Sequence, residues 1–485
     1  MRKLLKQIFR RPANANNRRF QAARNSRLEM DWIVDPLTCN EELRSDLRLL
    51  KLRSRDLAKN NSTYIKWLKM RETNIIGNAG IRLMMRVKNV DGEPDTKAND
   101  QIEQHWHIWG KRRNKYCAYK QNLSWLDLLG LVDRTLAVDG ECFVRKVYNA
   151  NNPYSYSLQI IDSMEIDIDY NLDNYHGNQI FMGIELAHDG EVLAYHRKLS
   201  PGGVGVRHER IPATDVYHIF QVSFAGQLRG YPLSSGAILD LNMADKYEET
   251  CLVGARVSAS HMGFITDNNG TGTTVDPTGK AKQQELPRLS MEPGVLLELP
   301  SGRGLVTHSP QQPVSAFAPF MKSIGRSVSQ GLTVAYNNLF EDLEGLSFSA
   351  LRAGAIAERD MWKMAQRFMI EAFIEPVFAD WLRMLLLSGL TDLPQDKYRK
   401  FLADHWQPRR WDWVDPLKDA NANAKKLELQ VTSRRRICSE IGLDFDDVIA
   451  ELEQEKKLLA QYGLTPELFN EKLLNKAGAN NDTKK

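Results

Sequence analysis

The densest group of carboxylates in the sequence is IDSMEIDID, which holds Asp162, Glu165, Asp167 and Asp169. Paired carboxylates can hold two divalent ions against a phosphodiester. On a strand, Asp167 and Asp169 share one face. That would suit a metal-dependent nucleic-acid-processing enzyme, and Asp167→Ala would be its test. No lysine or general base is placed close by, so a solvated strand face or turn is the simpler reading. HWHIW sets His105 and His107 two apart on a helical pattern, about 200° apart in projection, and such side chains do not converge on one metal. PGGVGVRHER has Gly202, Gly203 and Gly205, but it neither follows a buried strand nor opens a helix, so it is no dinucleotide fingerprint. No GxxxxGK[ST] occurs. GYPLSSGA has Pro232 where a nucleophile elbow needs glycine, and Ser234 or Ser235 reads as a helix N-cap. Trp406, Trp411 and Trp413 beside Arg409 and Arg410 suit base stacking, though a packed junction is the commoner use. No catalytic residue, metal site or cofactor emerges, and the chain reads as no enzyme.

The elements behind these residues are mixed. Leu43, Leu47, Leu50, Leu57, Ile65 and Leu68 predict helix over 41–75. Ile102, Trp106 and Trp109 predict one near 99–112. In SWLDLLGLVDRTLAVDG, Ser124 and Asp127 stand at capping-box spacing. From Gly140 to Phe220 the pattern turns to strands, with Asp189-Gly190 suited to a type I′ hairpin turn. A long helix follows over 234–263. It has no ordinary apolar stripe, its middle is charged, and its end is small residues. At 1.5 Å per residue some 28 residues span roughly 42 Å. A Gly-, Pro- and Thr-rich insert over 264–314 and a second helix near 315–330 complete what reads as a two-helix projection. A long helical pattern then runs to about 388 and should kink at Pro376. Short helices fill 417–476.

The chain has 485 residues, enough for two or three domains, and a net charge of +4, too small to announce a nucleic-acid binder. Nine basic residues and no acid lie between Arg2 and Leu28. This arm reads as a disordered basic tail, ahead of a transit peptide or a nucleic-acid or membrane-surface arm. The five cysteines show no metal-type spacing, which fits a reduced, cytosolic folding environment. No stretch reaches the roughly 18 apolar residues of a membrane span.

Four segments, in order, resemble the lambda-type family of phage portal proteins: RGYPLSSGAILDLNMADKYEETCLVGARVSASHMGF, GLTVAYNNLFEDLEGLSFSALRAG, WDWVDPLKDA and SRRRICSEIGLDFDDVIAELEQE. The resemblance covers about residues 40–460. It implies an α+β, mainly helical, ring-forming fold. After a basic arm (1–40) it places an α/β wing (41–232), a first stem helix (233–263), a clip (264–314) and a second stem helix (315–331). A tunnel loop (332–348), a long wing helix with a Trp-rich link (349–416), a helical crown (417–476) and a disordered tail (477–485) follow. It further implies a ring, usually of twelve copies, at one capsid vertex, where double-stranded DNA passes during packaging and ejection. Implied partners are sibling copies, DNA bound without sequence preference, the terminase large subunit, the major capsid protein and scaffold, and a head-tail connector protein; no cofactor and no membrane are implied. By the same resemblance Asn338, Glu341, Asp342 and Glu344 belong to the tunnel loop and Arg256 and His261 to the stem channel, while Lys280, Lys282, Arg288 and Arg303 belong to the clip docking surface. Acids facing DNA phosphates repel them within a Debye length of about 8 Å, so weak DNA affinity is expected.

Overall fold

Leu43, Leu47 and Leu57 form the buried face of the first helix, α1 (Cys39–Asn60), and Thr38 and Glu41 close a capping box on it. The run expected over 41–75 is broken at Asn61. Its side chain accepts from the Tyr64 N–H and so starts α2 (Ser62–Arg71) afresh, the competition with backbone bonding that makes Asn a cap former. A π-helical turn, Glu72–Ile76, then ends at Gly77. The computed structural model describes residues 36–149, 151–199, 207–259, 263–267, 303–307, 314–345, 347–411, 416–443 and 445–461.

Strand β1 (Arg82–Met85) leads to α3 (Thr96–Gly110) and α4 (Trp125–Asp139). Ile102, Trp106 and Trp109 are buried, and the Ser124–Asp127 capping box forms in both directions. Strands β2 (Glu141–Tyr148) and β3 (Tyr156–Ile161) come next. Strands β4 (Leu172–Tyr175), β5 (Asn178–Phe181), β6 (Ile184–Leu186), β7 (Val192–Lys198) and β8 (His208–Pro212) make an antiparallel meander in chain order. Strand β9 (Val216–Phe220) returns beside β2, giving the order β3-β2-β9. The β6–β7 turn differs from the type I′ expectation. Gly190 has φ +89° while Asp189 does not have positive φ, and the Gly190 N–H donates to Ala187 O at 3.0 Å. The Ala187 N–H donates to Glu191 O, so the loop has three residues with glycine in the left-handed position.

Helix α5 (Ile238–Ala259) begins later than the sequence suggested. Ser234 does not cap it with its side chain: Oγ lies 2.9 Å from the Tyr64 hydroxyl, and its backbone O accepts from Ile238 N. Beyond it β10 (Gly263–Asp267) pairs antiparallel with β11 (Arg303–Thr307). Helix α6 (Val314–Gly331) returns alongside α5, and a short α7 (Tyr336–Phe340) precedes α8 (Phe348–Met369). The break expected at Pro376 takes a specific form. A π-helical turn, Ile370–Ile374, intervenes, and proline falls in the first turn of α9 (Glu375–Ser388), where its missing N–H is tolerated. Helix α10 (Tyr398–Phe401) and β12 (Asp404–Gln407) follow, and β12 pairs with β1. Helices α11 (Pro416–Glu428), α12 (Arg434–Ile441) and α13 (Phe445–Gln461) end the described chain; Ser433 caps α12 and Gly442 closes it.

The main core is aromatic. Trp106 has Trp109, Trp125, Trp381, Trp406 and Phe378 within 4.9–5.7 Å between ring centroids, mostly edge to face. Such pairs add about 0.5–1.5 kcal/mol each beyond area burial. Helices α3, α4 and α9 and strand β12 are thus one unit. A smaller core under the meander holds Phe143, Ile166, Ile184, Tyr195 and Ile211. The chain is α+β and mainly helical.

Two histidines make this fold acid-sensitive. Burial pushes His218 and His196 below their ordinary value of 6.5, against the opposing pull of Glu141 and Glu185 respectively. The unfolded chain therefore binds more protons than the native one below pH 6.5, and stability is lost as pH falls through that region. Calorimetry is expected to give a Tm at pH 5 at least about 4 °C below that at pH 7.5, with a shallower slope in His196→Gln.

Candidate functional site

The exposed projection is built on a buried foot. The Glu141 carboxylate accepts from Lys51 Nζ at 2.6 Å, Arg229 Nη2 at 2.6 Å, His218 Nε2 at 3.0 Å and the Gly230 N–H at 3.0 Å. Glu141, Lys51 and Arg229 are all 0% exposed. Burial raises the Glu141 carboxyl, but Arg229, Lys51 and His218 outweigh it and hold it well below the usual carboxylate range. Arg229 and Gly230 belong to the segment that leads into α5, so the network fixes where that helix leaves the body. At the crossing of the two long helices, a Cβ on Gly331 would lie 3.0 Å from Ala237 Cβ.

Above this foot α5 is bare. Ile238 and Leu241 are buried, and no residue from 242 to 256 is. Leu239 and Met243 are each 63% exposed, and Leu252 and Val253 are exposed as well. Contacts to α6 are sparse: Tyr247 stacks on Phe317 at 5.7 Å and meets Phe320 at 4.7 Å, and Ser327 Oγ donates to Asp240 at 2.5 Å. Asn61 Nδ2 donates to Asp245. Apolar side chains interleaved with acids on so open a rod fit neither a core helix nor a lone solvated one.

The segment 336–347 sits beside α6. Glu341 ends α7 with φ +56°, and its carboxylate accepts from Lys66 Nζ at 2.5 Å. Asp342 accepts from Lys322 at 2.7 Å and from the Tyr336 hydroxyl at 3.2 Å. Hydrogen bonding to these lysines holds both carboxyls below their ordinary values. Asn338 donates to buried Glu358 on α8. Glu344 is exposed and forms no ion pair among the described residues. Arg256 is exposed on the last described turn of α5. Hence Asn338, Glu341, Asp342 and Glu344 are gathered along α7 and the turn that follows it. Lys66 and Lys322, which the sequence reading missed, neutralise two of the three acids. Lys66 is 275 residues from Glu341, so no local signal announces it. His261, Lys280, Lys282 and Arg288 lie outside the described residues, and Arg303 is placed only as a backbone position in β11.

The model of the lambda family of phage portal proteins matches residues 25–366. The chain belongs to this family. A "Probable portal protein" of Halomonas phage phiHAP-1 is 30% identical over 464 residues, covering 92% of this chain and 88% of the relative. Portal protein B of Escherichia phage lambda is 19% identical, covering 85% and 84%. Among solved structures, a chain in the neck of a native gene transfer agent particle computed with C12 symmetry aligns with a TM-score of 0.44 and 12% identity, over 82% of this chain and 94% of that one. The chain is thus a phage portal protein and a virion component. No described helix is long and apolar enough to cross a membrane.

The nuclease alternative fails in this portal protein for a physical reason. The stretch 162–169 is turns with a single bridge at Ile166, not a strand, so Asp167 and Asp169 share no strand face. Each acid also has a cation: Asp162 meets Arg55, Glu165 meets Arg197, Asp167 meets Lys198 and Asp169 meets Arg48. His105 Nδ1 lies 3.1 Å from the Tyr154 hydroxyl, while His107 is exposed. Trp406 is core, and Trp411 donates to Asn74 Oδ1 at 2.7 Å, so both pack in a junction; Trp413 lies outside the described residues.

Proposed function

We propose that this portal protein acts as a closed ring of identical copies, twelve in the particle, around a channel for double-stranded DNA. In this reading α5 and α6 are the stem, the segment between them the clip, 332–348 the tunnel loop and 417–476 the crown. The observation that carries it is α5: beyond Leu241 its own chain buries none of its residues as far as 256, and its apolar side chains need sibling helices. The clip meets the terminase large subunit during packaging and a head-tail connector protein afterwards. The outer body meets the major capsid protein and scaffold. The ring performs no catalysis.

The loop electrostatics refine the conduit. Two lysine–carboxylate pairs leave Glu344 as the unpaired acid of the loop among the described residues. A phosphate gains little from a lysine already held by a carboxylate, and counterion release is correspondingly small. Such a surface neither grips nor strongly repels a sliding duplex, and affinity is weak and independent of sequence.

Negative-stain microscopy and mass photometry of the purified chain test the ring. The wild type is expected to form closed rings. Met243→Glu with Leu252→Glu is expected to cut the ring fraction at least about tenfold, since buried unpaired carboxylates are costly at an interface. The exposed sites leave the monomer's Tm unchanged. A wild-type chain that stays a monomer at every concentration would refute the reading.

A further inference from the structure

A cleft of about 450 Å³ lies between the turn at Asn78–Gly80, the end of β12 and the end of α12. It is lined by Arg82, Arg409 and Arg410, and no Asp or Glu among the described residues lines it. Several buried or half-buried arginines of this fold are matched to acids, as Arg55 is to Asp139 and Arg71 to Asp133. Arg82 and Arg410 form no ion pair or hydrogen bond from their side chains among the described residues. Arg409 is partly committed, donating to Thr73 O and Asn74 Oδ1. The wall behind them is also short of acceptors. Gln407 is 6% exposed, and its amide nitrogen and Arg410 Nε are buried without a partner. Among the described residues the backbone N–H groups of Asn78, Ala79 and Gly80 find no acceptor.

Guanidinium groups converging on one cleft, with two buried nitrogens lacking acceptors behind them, make a positive concavity that an anion would complete. Planar guanidinium forks match the oxygens of a phosphate group, and successive open backbone N–H groups add to such a concavity. We infer that this cleft is an oxyanion site that takes a phosphate group through Arg82 and Arg410, with Arg409 holding the Thr73–Asn74 turn in place. Free phosphate and the phosphates of a DNA backbone share this chemistry. The inference stands apart from the ring, because every residue belongs to one copy.

The test uses the full chain with sodium phosphate at constant ionic strength, followed by isothermal titration and by the rise in Tm that ligand binding to the native state produces. Arg82→Gln and Arg410→Gln are each expected to weaken phosphate binding at least about tenfold, while Arg434→Gln, outside the cleft, leaves it within about twofold. Arg82 is exposed, so Arg82→Gln alone carries the test if the Arg410 variant is unstable. Anisotropy of a labelled duplex separates the sources. A parallel loss of duplex affinity assigns the site to backbone phosphate, and a loss confined to sodium phosphate assigns it to the free ion. Equal phosphate binding by wild type and Arg82→Gln, or no phosphate binding by the wild type, overturns the site.

Discussion

Glu141→Ala is expected to lower the stability of the portal chain by about 3–5 kcal/mol, the cost of stripping one partner from a buried ion cluster. Among the described residues the carboxylate is the sole anion contacting two cations that water does not reach. Without it Lys51 keeps Ser163 Oγ at 3.1 Å, and Arg229 keeps Met182 O and Ser163 O. These are dipoles, and they do not replace a charge. Glu141→Gln separates charge from shape. It preserves the volume and still leaves both cations uncompensated, so its cost should approach that of alanine. The combined replacement Lys51→Met, Glu141→Leu, Arg229→Met should recover part of the loss, because an apolar cluster of similar volume needs no compensation. Urea denaturation reads all three through the midpoint at unchanged slope. A midpoint for Glu141→Gln equal to the wild type's would show that the cluster is not held by charge. The consequence for assembly follows from sequence position. Arg229 lies nine residues before the first residue of α5, so a chain that survives the substitution should lose ring formation before it loses its body.

What was legible in the sequence was what neighbours in sequence decide. The Ser124–Asp127 box and the Ile102–Trp106–Trp109 face are local patterns, and each forms as spaced. The proline at 376 announced a break, but not that a π-helical turn would absorb it, because that depends on what the neighbouring turn packs against. Helix α5 was legible through a missing pattern: a helical sequence with no stripe has no core to face, and the structure leaves it bare. The carboxylates of 162–169 were legible as a turn rather than a metal site, but their cations were not, because Arg55 and Arg48 lie 107 and 121 residues away. The loop acids misled about net charge for the same reason. The foot of α5 gave no signal, since Lys51, Glu141 and Arg229 are brought together across 90 and 88 residues.

Gly140→Ala should be more damaging still, above about 4 kcal/mol, and is expected to yield insoluble protein. Two effects add. Gly140 closes α4 at φ +83°, a left-handed position that costs a residue with a Cβ about 1–2 kcal/mol. The larger effect is contact. A Cβ there would fall 1.9 Å from Tyr231 C and 2.0 Å from Tyr231 O, and one on Gly230 would fall 2.1 Å from Gly140 O. These are backbone atoms, so no rotamer change relieves the overlap, and the segment entering α5 must move off the end of α4. That movement would also pull the Gly230 N–H and Arg229 away from Glu141. Gly190→Ala is the matched control. Its φ is +89° with nothing within 4 Å of the added carbon, so it should cost the conformational term alone, about 1–2 kcal/mol. Soluble yield and thermal unfolding of the two variants, compared side by side, isolate the contact. If Gly140→Ala were as stable as Gly190→Ala, the two backbones would not be touching, and the rigid seating of α5 on the end of α4 would lose its physical basis.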